Sequence, residues 1–332
     1  MSSQTQAITL DQALAAAYDY NPRIDAERAR LRATDEDVAI AKSGLRPDIN
    51  AEGSLGSRFT NSRVDTNLVS INNQDFYNNI VRPRTMGISL TQPVFRGFSV
   101  LNAVNQAEAG VRAGRETLRG VEQEVLLEAV RNYMDVVRDM AVVRLREGNV
   151  KYLSEQLKAT QDRFAVGEVT KTDVAQSQAR RAGALSDLDL AKANLQSSRA
   201  NYVRTIGASP DGLVEPIVKE NILPKSLNEA VNVGTQENPS VVGALYREQA
   251  ARYKVDVVRG KLLPQIDFES NYLHNSGANY GVPEGENISV GGRMSIPIYQ
   301  EGGRFHAEVR KAKHEHLSFL QEIEAARTEV KS

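Results

Sequence analysis

The middle of the chain has the hydrophobic pattern of long helices. Apolar or small residues recur in steps of three and four over 118–164, and a heptad pattern fills 174–206. A spacing that averages near 3.5 residues is typical of coiled coils. The sequence therefore predicts a hairpin of two long helices over 97–207. At 1.5 Å per residue the first helix would reach on the order of 100 Å, which a compact monomer does not need.

One short stretch, RFAVGEVTKTDV at 163–174, interrupts the helical pattern. Gly167 lies in its middle and can adopt a positive φ without steric strain. Either Thr170 or Thr172 could cap the returning helix with its hydroxyl group. We therefore expect the tip of the hairpin at 166–170.

A second pattern alternates apolar and polar residues in four segments. The segments are 48–59, 84–94, 265–275 and 288–298, separated by polar connections at 60–83 and 276–287. Each has about the length of a tilted strand that crosses a bilayer in a barrel. A half-buried strand of a soluble protein alternates in the same way, so the pattern alone does not distinguish the two. Four strands are fewer than the roughly eight of the smallest barrels, so a membrane barrel would need several chains.

The sequence also repeats itself over a long period. ITLDQALAAAYDYNP ends at Pro22 and is echoed by KSLNEAVNVGTQENP, which ends at Pro239, while EQEV ending at Val125 matches RTEV ending at Val330. Repeats of this kind indicate duplicated supersecondary units. We predict a first repeat at 1–226 and an incomplete second repeat at 227–332. The further elements of the two repeats are predicted helices at 9–45, 227–262 and 303–332.

Four prolines fall at matched places in the two repeats. Pro47 and Pro264 end helical stretches and open alternating segments, whereas Pro93 and Pro297 end such segments. Proline lacks a backbone N–H and favours an extended residue before it, so it suits strand ends and helix boundaries. We expect all four at strand–helix junctions.

Composition removes several classes of function. The 332 residues include 41 Lys and Arg against 42 Asp and Glu, so no overall charge attracts nucleic acid or an anionic surface. The absence of cysteine excludes disulfides, thiolate zinc sites and cysteine nucleophiles. His314 and His316 stand two apart on a predicted helix, so we expect them to face different directions and to be exposed to solvent. No nucleophilic, metal-binding or phosphate-binding motif is present, and we expect neither enzymatic activity nor a cofactor.

The order of these elements resembles that of the TolC family of outer-membrane efflux and type I secretion channels. The resemblance rests on TQPVFRGF and SIPIYQEGG at the strand–helix junctions and on RFAVGEVTKTDV at the turn. It implies a mainly α fold, a homotrimer with a 12-stranded β-barrel, and an α-barrel that continues through the periplasm. It also implies passive export with a periplasmic adaptor and an inner-membrane pump or ABC transporter. The adaptor would dock on Val166, Gly167, Glu168, Val169 and Thr170.

The resemblance has one gap and leaves alternatives open. The second repeat stops roughly halfway, so we expect a C-terminally incomplete member whose residues alone do not form a sealed channel. No secretory signal is visible at the start, and no apolar run reaches the roughly 20 residues of a membrane-spanning helix. A periplasmic coiled-coil adaptor or scaffold, or a soluble cytosolic helical protein, remains an alternative.

Overall fold

The structure, a computed structural model, describes residues 8–63, 76–216, 224–279, 282–299 and 301–331. Its helices are α1 (Leu10–Tyr20), α2 (Pro22–Ser43), α3 (Ser99–Ala165), α4 (Lys171–Ile206), α5 (Leu227–Glu237), α6 (Pro239–Gly260) and α7 (Arg304–Lys331). Its strands are β1 (Asp48–Leu55), β2 (Arg58–Arg63), β3 (Phe76–Val81), β4 (Arg84–Arg96), β5 (Gln265–Asn279) and β6 (Val282–Ser295). In the described part of the chain, no helix is both long enough and apolar enough to cross a membrane.

The chain divides into two compact units. The helical unit comprises 1–32, 114–243 and Lys331, and the sheet unit comprises 33–113, 244–330 and Ser332. Each unit therefore contains residues from both halves of the repeated sequence. The units are defined by contacts in space and the repeats by similarity of sequence, so the units do not test the repeats. The division into repeats at 1–226 and 227–332 therefore stays a prediction.

Two helices predicted as continuous are each interrupted. The helix predicted at 9–45 breaks between α1 and α2, and the helix predicted at 227–262 breaks between α5 and α6. The reason is an Asn-Pro pair at each break: Asn21 and Asn238 are extended, and each side chain accepts a hydrogen bond from the amide two residues later. Proline at the first helical position lacks the amide that an α-helix leaves unpaired there.

The core of the helical unit forms where α1 packs on the hairpin of α3 and α4. Its buried members are Ala13, Ala17, Ala129, Tyr133, Val136, Tyr202 and Ile206. The alanines let the helices approach closely, while the two tyrosine rings fill the space between them with centroids 6.3 Å apart. The Tyr133 hydroxyl lies 3.0 Å from the carbonyl oxygen of Ile8 and also contacts that of Val214. Tyr133 thus holds two neighbouring chain segments, which also bond to each other where the Val214 amide donates to the carbonyl oxygen of Ile8 at 3.3 Å.

The sheet unit contains a four-stranded antiparallel sheet in the order β1-β4-β5-β6, and β2 pairs with β3 in a separate two-stranded sheet. The strand predicted at 48–59 therefore ends at Leu55, and β2 begins at Arg58. The connection predicted at 60–83 includes most of β2 and all of β3, with 64–75 outside the described residues.

The second strand pair also departs from the prediction. The connection predicted at 276–287 instead supplies the ends of β5 and β6, and β6 stops at Ser295 rather than at 298. Strand pairing uses backbone groups, so it continues through polar residues whose side chains carry no apolar pattern. Strand ends predicted from the alternating pattern are therefore wrong at such places.

Candidate functional site

The turn between α3 and α4 is a Schellman motif. The amide of Gly167 donates to the carbonyl oxygen of Phe164 at 3.0 Å, and the amide of Glu168 donates to that of Arg163 at 3.0 Å. Gly167 has φ 81°, and a Cβ there would meet no heavy atom within 4 Å. Backbone geometry alone, without crowding, explains the glycine. The Glu168 carboxylate also lies 3.1 Å from Nε of Arg163, which closes the turn with an ion pair.

Thr170, rather than Thr172, caps the returning helix. The amide of Asp173 donates to the Thr170 hydroxyl at 3.3 Å, and the Asp173 carboxylate accepts from the Thr170 amide at 2.8 Å. This reciprocal arrangement is a capping box. Hydrogen bonds from the Thr170 hydroxyl and amide lower the pKa of Asp173, and the charge of Arg163 acts in the same direction. The cap is therefore strongest when Asp173 is ionised.

The five predicted tip residues form one continuous turn, and four of them are exposed. Val166 is 73% exposed, Val169 is half-buried, and Gly167, Glu168 and Thr170 are exposed. Phe164, two residues before Val166, is 45% exposed and enlarges the apolar part of this surface. Such a turn offers shape and apolar contact to another protein, and its hydrogen bonds hold it in one conformation. Its ion pair and cap fix the turn rather than serve a reaction.

The four prolines occupy the strand–helix connections, with one difference. Pro47 and Pro264 directly precede β1 and β5, and Pro297 follows β6. Pro93 instead lies inside β4, which continues to Arg96, so the strand end predicted at 94 is wrong. The pairing of β4 with β5 is irregular between Pro93 and Phe95. A bulge of this kind lets a strand pass a residue that cannot donate to the ladder.

One face of the four-stranded sheet carries an exposed apolar band. Strand register places Ala51, Ile88, Tyr272 and Ile288 in one row across that face. Exposed apolar side chains of the same face are Ile49, Leu55, Met86, Ile88, Phe268, Tyr272, Ile288, Val290 and Met294. The opposite face has mostly small or polar residues such as Asn50, Ser89, Asn271 and Ser289. An apolar face of this size marks a surface that contacts something other than water.

Both edges of that sheet lack a neighbour among the described strands. β1 pairs only with β4, and β6 pairs only with β5. An open edge presents unpaired backbone N–H and C=O groups that another strand can bind. Among the described strands, the sheet therefore has two open edges and one apolar face.

The prediction of two exposed histidines is wrong for one of them. His314 is exposed. Nε2 of His316, however, lies 2.6 Å from a carboxylate oxygen of Glu248, and the side chains of His316 and Glu248 are mostly buried. The two residues are 68 positions apart, so no local pattern points to the contact.

Comparison with known proteins gives consistent matches over nearly the whole chain. The family model described as outer membrane efflux protein matches residues 12–208 and 232–331. The outer membrane efflux protein BepC of Brucella suis biovar 1 is 35% identical over 324 residues, covering 97% of this chain and 67% of the relative. The outer membrane protein TolC of Vibrio cholerae is 23% identical, covering 98% of this chain and 73% of the relative.

Solved structures show the same fold. A membrane protein from Pseudomonas aeruginosa has a TM-score of 0.78 at 17% identity, covering 96% of this chain and 74% of that one. The outer membrane protein VceC from Vibrio cholerae has a TM-score of 0.73 at 15% identity, covering 96% of this chain and 75% of that one. The chain thus spans about two thirds to three quarters of the length of these proteins.

Proposed function

Because the chain belongs to the outer membrane efflux protein family, we propose that copies of it join their sheet edges into one closed ring of strands in the outer membrane. The observation that carries this proposal is the pair of open edges on β1 and β6. All three strand pairs of the sheet are antiparallel, so β6 runs opposite to β1. β6 of one copy can therefore pair with β1 of the next and continue the antiparallel pattern.

We infer three copies, the number that the resemblance to the TolC family implies. Four strands from each of three chains make a ring of 12, above the roughly eight strands of the smallest barrels. The apolar band containing Ile88 and Ile288 would face lipid, and the polar face containing Ser89 and Asn271 would face water inside the ring. Such an arrangement provides a passive conduit for export, with no chemical step in the chain itself.

We place the helices of this assembly in the periplasm, where they line the same conduit. A second apolar stripe on α3 supports helix contacts beyond those within one chain. Its members are Leu127, Met134, Leu145 and Tyr152, all exposed in the single chain. Helices that carry two apolar stripes pack on both sides, as the wall of a helical tube requires. The sequence also predicts that this chain alone does not form a sealed channel. Single-channel conductance of the chain in planar bilayers tests that prediction.

The absence of cysteine makes the ring directly testable. We would combine Ala51→Cys on β1 with Ile288→Cys, Val290→Cys or Met294→Cys on β6, and oxidise each variant in outer membranes. A closed ring predicts a disulfide-linked ladder that ends at the trimer for one of these pairs. Single-cysteine variants serve as controls. If Ala51→Cys or Ile288→Cys alone gives the strongest dimer and no mixed pair links, like edges pair with like edges and the ring is wrong.

The tip is the surface we assign to a periplasmic adaptor, which would couple the conduit to an inner-membrane pump or ABC transporter. Val166 is the most informative position because its exposed side chain can change without altering the glycine-dependent turn. Val166→Asp should lower crosslinking to the adaptor by about tenfold or more, since a charge at the centre of an apolar contact loses roughly 2 kcal/mol. Lys158→Asp, exposed on α3 away from the turn, is the matched control. Equal crosslinking by both variants would remove the docking role of the tip.

A further inference from the structure

The polar faces of the two edge strands carry opposite charges. On β1 the charged side chains of this face are Asp48 and Glu52, and both are exposed. On β6 the same face has one charged residue, Arg293, whose side chain is 69% exposed. Opposite charges that face each other across two strands stabilise the pairing, and like charges oppose it. The charges therefore favour β6 beside β1 of another copy over the pairing of like edges.

Arg293 has donors and space for a second carboxylate. Within one copy its guanidinium lies 2.9 Å from the carboxylate of Glu269. A guanidinium has five N–H donors, and one carboxylate accepts two of them at most in a forked pair. Next to this pair, a Cβ at Gly291 would meet no heavy atom within 4 Å. A depression therefore lies over Gly291, bounded by Glu269, Asn271, Ser289 and Arg293, and it is large enough for another side chain.

The end of the sheet where β1 begins and β6 ends is stepped. Following the paired residues from Asp48 across the sheet leads to Thr91, then to Glu269, and then to Gly291. β1 begins at Asp48, whereas β6 continues past Gly291 to Ser295. The sheet therefore extends further in this direction on the β6 side than on the β1 side.

Closing a ring shifts the next copy along the strands. Barrel strands tilt by about 35–45°, which at a strand spacing of about 4.8 Å shifts the pairing by about 1.0 to 1.4 residues per strand. Four strands give a shift of about four to six residues, and the step of the sheet sets its direction. A shift of four places Asp48 of the next copy opposite Ser295, and all eight residues of β1 then pair with 288–295. A shift of six would leave the first two residues of β1 beyond the end of β6.

We propose that β6 pairs with β1 of the next copy in the register that puts Asp48 opposite Ser295. In this register Arg293 binds Asp48 and Glu52 of the next copy, and the same charge contact recurs at each junction between chains. This inference rests on the proposed ring and specifies how its chains join.

The register brings the charged groups of the polar face within reach of one another. Arg293 lies opposite Asn50, with Asp48 and Glu52 at the two diagonal positions. Diagonal neighbours across a strand pair are within reach of long side chains. Glu52 itself lies opposite Gly291, so its side chain enters the depression there.

The same register also pairs apolar side chains on the opposite face. Ile49 lies opposite Met294 and Leu55 lies opposite Ile288, and all four side chains are exposed in a single copy. Apolar pairs directly opposite each other stabilise neighbouring strands. A shift smaller by two residues would instead place Leu55 opposite Glu286. Both faces of the sheet therefore favour one register.

Cysteine pairs on the apolar face measure the register. Leu55→Cys is combined in turn with Glu286→Cys, Ile288→Cys and Val290→Cys, and each full chain is oxidised in outer membranes. The pair with Ile288→Cys should give about fivefold more linked trimer than either other pair, because residues directly opposite lie within disulfide range and diagonal residues lie farther apart. Ala51 lies opposite Gly292 in this register, so its links to residues of β6 are diagonal and weaker.

The outcomes separate the register from the ring. A stronger ladder with Glu286→Cys or Val290→Cys would overturn the register and leave the ring standing. If no pair of cysteines on β1 and β6 links at all, the ring itself is wrong, and the register falls with it.

Charge reversal tests the contact of Arg293. In the chain that carries Leu55→Cys and Ile288→Cys, Arg293→Glu should lower the yield of linked trimer about fivefold, because it brings like charges together. Adding Asp48→Lys and Glu52→Lys should restore the yield to within about twofold. β4 and β5 separate β1 from β6 within one copy, so such a restoration arises only between copies.

Glu269→Gln is the matched control. It removes the partner of Arg293 within the chain and leaves the contact to the next copy in place. It should therefore keep the yield of linked trimer within about twofold. If Glu269→Gln lowers the yield as much as Arg293→Glu does, or if reversing Asp48 and Glu52 restores nothing, Arg293 does not bind the next copy.

Discussion

The helices α1 and α5 occupy matching places in the repeated sequence but differ completely in burial. Both have 11 residues, both are capped by a hydroxyl side chain, Thr9 or Ser226, and both end in an extended asparagine. In α1, Ala13 and Ala17 are 1% and 0% exposed, whereas no residue of α5 is buried. The same local signals therefore produce the same helix, but they do not decide whether that helix is covered.

The difference comes from the partner of each helix. α1 packs against Tyr133 and Tyr202 of the α3–α4 hairpin, and α5 has no comparable contact among the described residues. A helix of 11 residues is marginal in water, so its stability depends on tertiary packing. We therefore expect substitutions in and around α1 to change the free energy of unfolding strongly, and substitutions in and around α5 to change it weakly.

The largest effect is expected from Tyr133→Ala. It removes a fully buried ring and the hydroxyl that contacts the carbonyl oxygens of Ile8 and Val214. Such a truncation lowers the free energy of unfolding by about 3–5 kcal/mol. Denaturant unfolding of the full chain measures it. Glu147→Ala, at an exposed site on the same helix and outside its second apolar stripe, is the control and should stay within about 0.5 kcal/mol.

A matched pair of substitutions, one in α1 and one in α5, tests directly whether the two helices differ in burial. Ala13→Leu should lower the free energy of unfolding by about 1–3 kcal/mol, because the buried site has no room for a larger side chain. The repeat aligns Ala13 with Ala230, which is only half-buried. Ala230→Leu should change stability by less than about 0.5 kcal/mol in the same unfolding experiment. Equal losses for the two variants would mean that α5 is covered as well as α1.

Removing the caps should have a smaller effect, and a different one in each helix. Thr9→Ala deletes one half of a capping box and should lower the free energy of unfolding by about 1 kcal/mol, since α1 is part of the core. Ser226→Ala should mainly increase amide exchange in the first turn of α5. Hydrogen exchange and denaturant unfolding of both variants provide the measurement. A global loss with Ser226→Ala would contradict the view that α5 is weakly coupled.

Low pH should weaken contacts between charged side chains and leave apolar packing unchanged. Hydrogen bonds from Lys261 and Lys254 lower the pKa of Glu308 and Glu315, respectively. Their stabilising contribution is therefore complete above the ordinary glutamate pKa of about 4.3 and is lost as the pH falls through the lower folded values. α7 should loosen in this range while α1, held by apolar contacts, should not.

Nitroxide labels on cysteines introduced at Lys313 and Ala15, exposed on α7 and α1, report this difference by electron paramagnetic resonance. The label on α7 should gain mobility as the pH falls below about 4, and the label on α1 should not. If both labels gain mobility at the same pH, acid unfolds the chain as a whole and the distinction fails.

Several features of the site followed from local sequence. The turn at Gly167 was predicted from one glycine between two heptad patterns, and the structure shows the positive φ expected there. The hydroxyl group alone makes Thr170 and Thr172 equal candidates for the cap, but Asp173 stands three residues after Thr170 and only one after Thr172. The spacing of a capping box would have decided between them. The Asn-Pro pairs that begin at Asn21 and Asn238 also carry a local signal for the two helix breaks, since asparagine caps a helix and proline suits its first position.

Other features had no local signal. β5 and β6 extend through polar residues at 276–279 and 282–287, because backbone pairing does not require apolar side chains. The bulge beside Pro93 depends on the strand opposite it. The His316–Glu248 contact joins two helices that are far apart in sequence. Each of these depends on a partner that the neighbouring residues do not specify.

The sequence by itself determined the helices, the alternating strands, the turn and the caps, because these depend on side-chain period and on groups within a few residues. Only the tertiary structure decided that α1 is covered while α5 is not, that the sheet has two open edges among the described strands, and that His316 and Glu315 of α7 contact Glu248 and Lys254 of α6. Those outcomes depend on contacts between residues far apart in the chain, and similar local patterns, as in α1 and α5, can meet different partners.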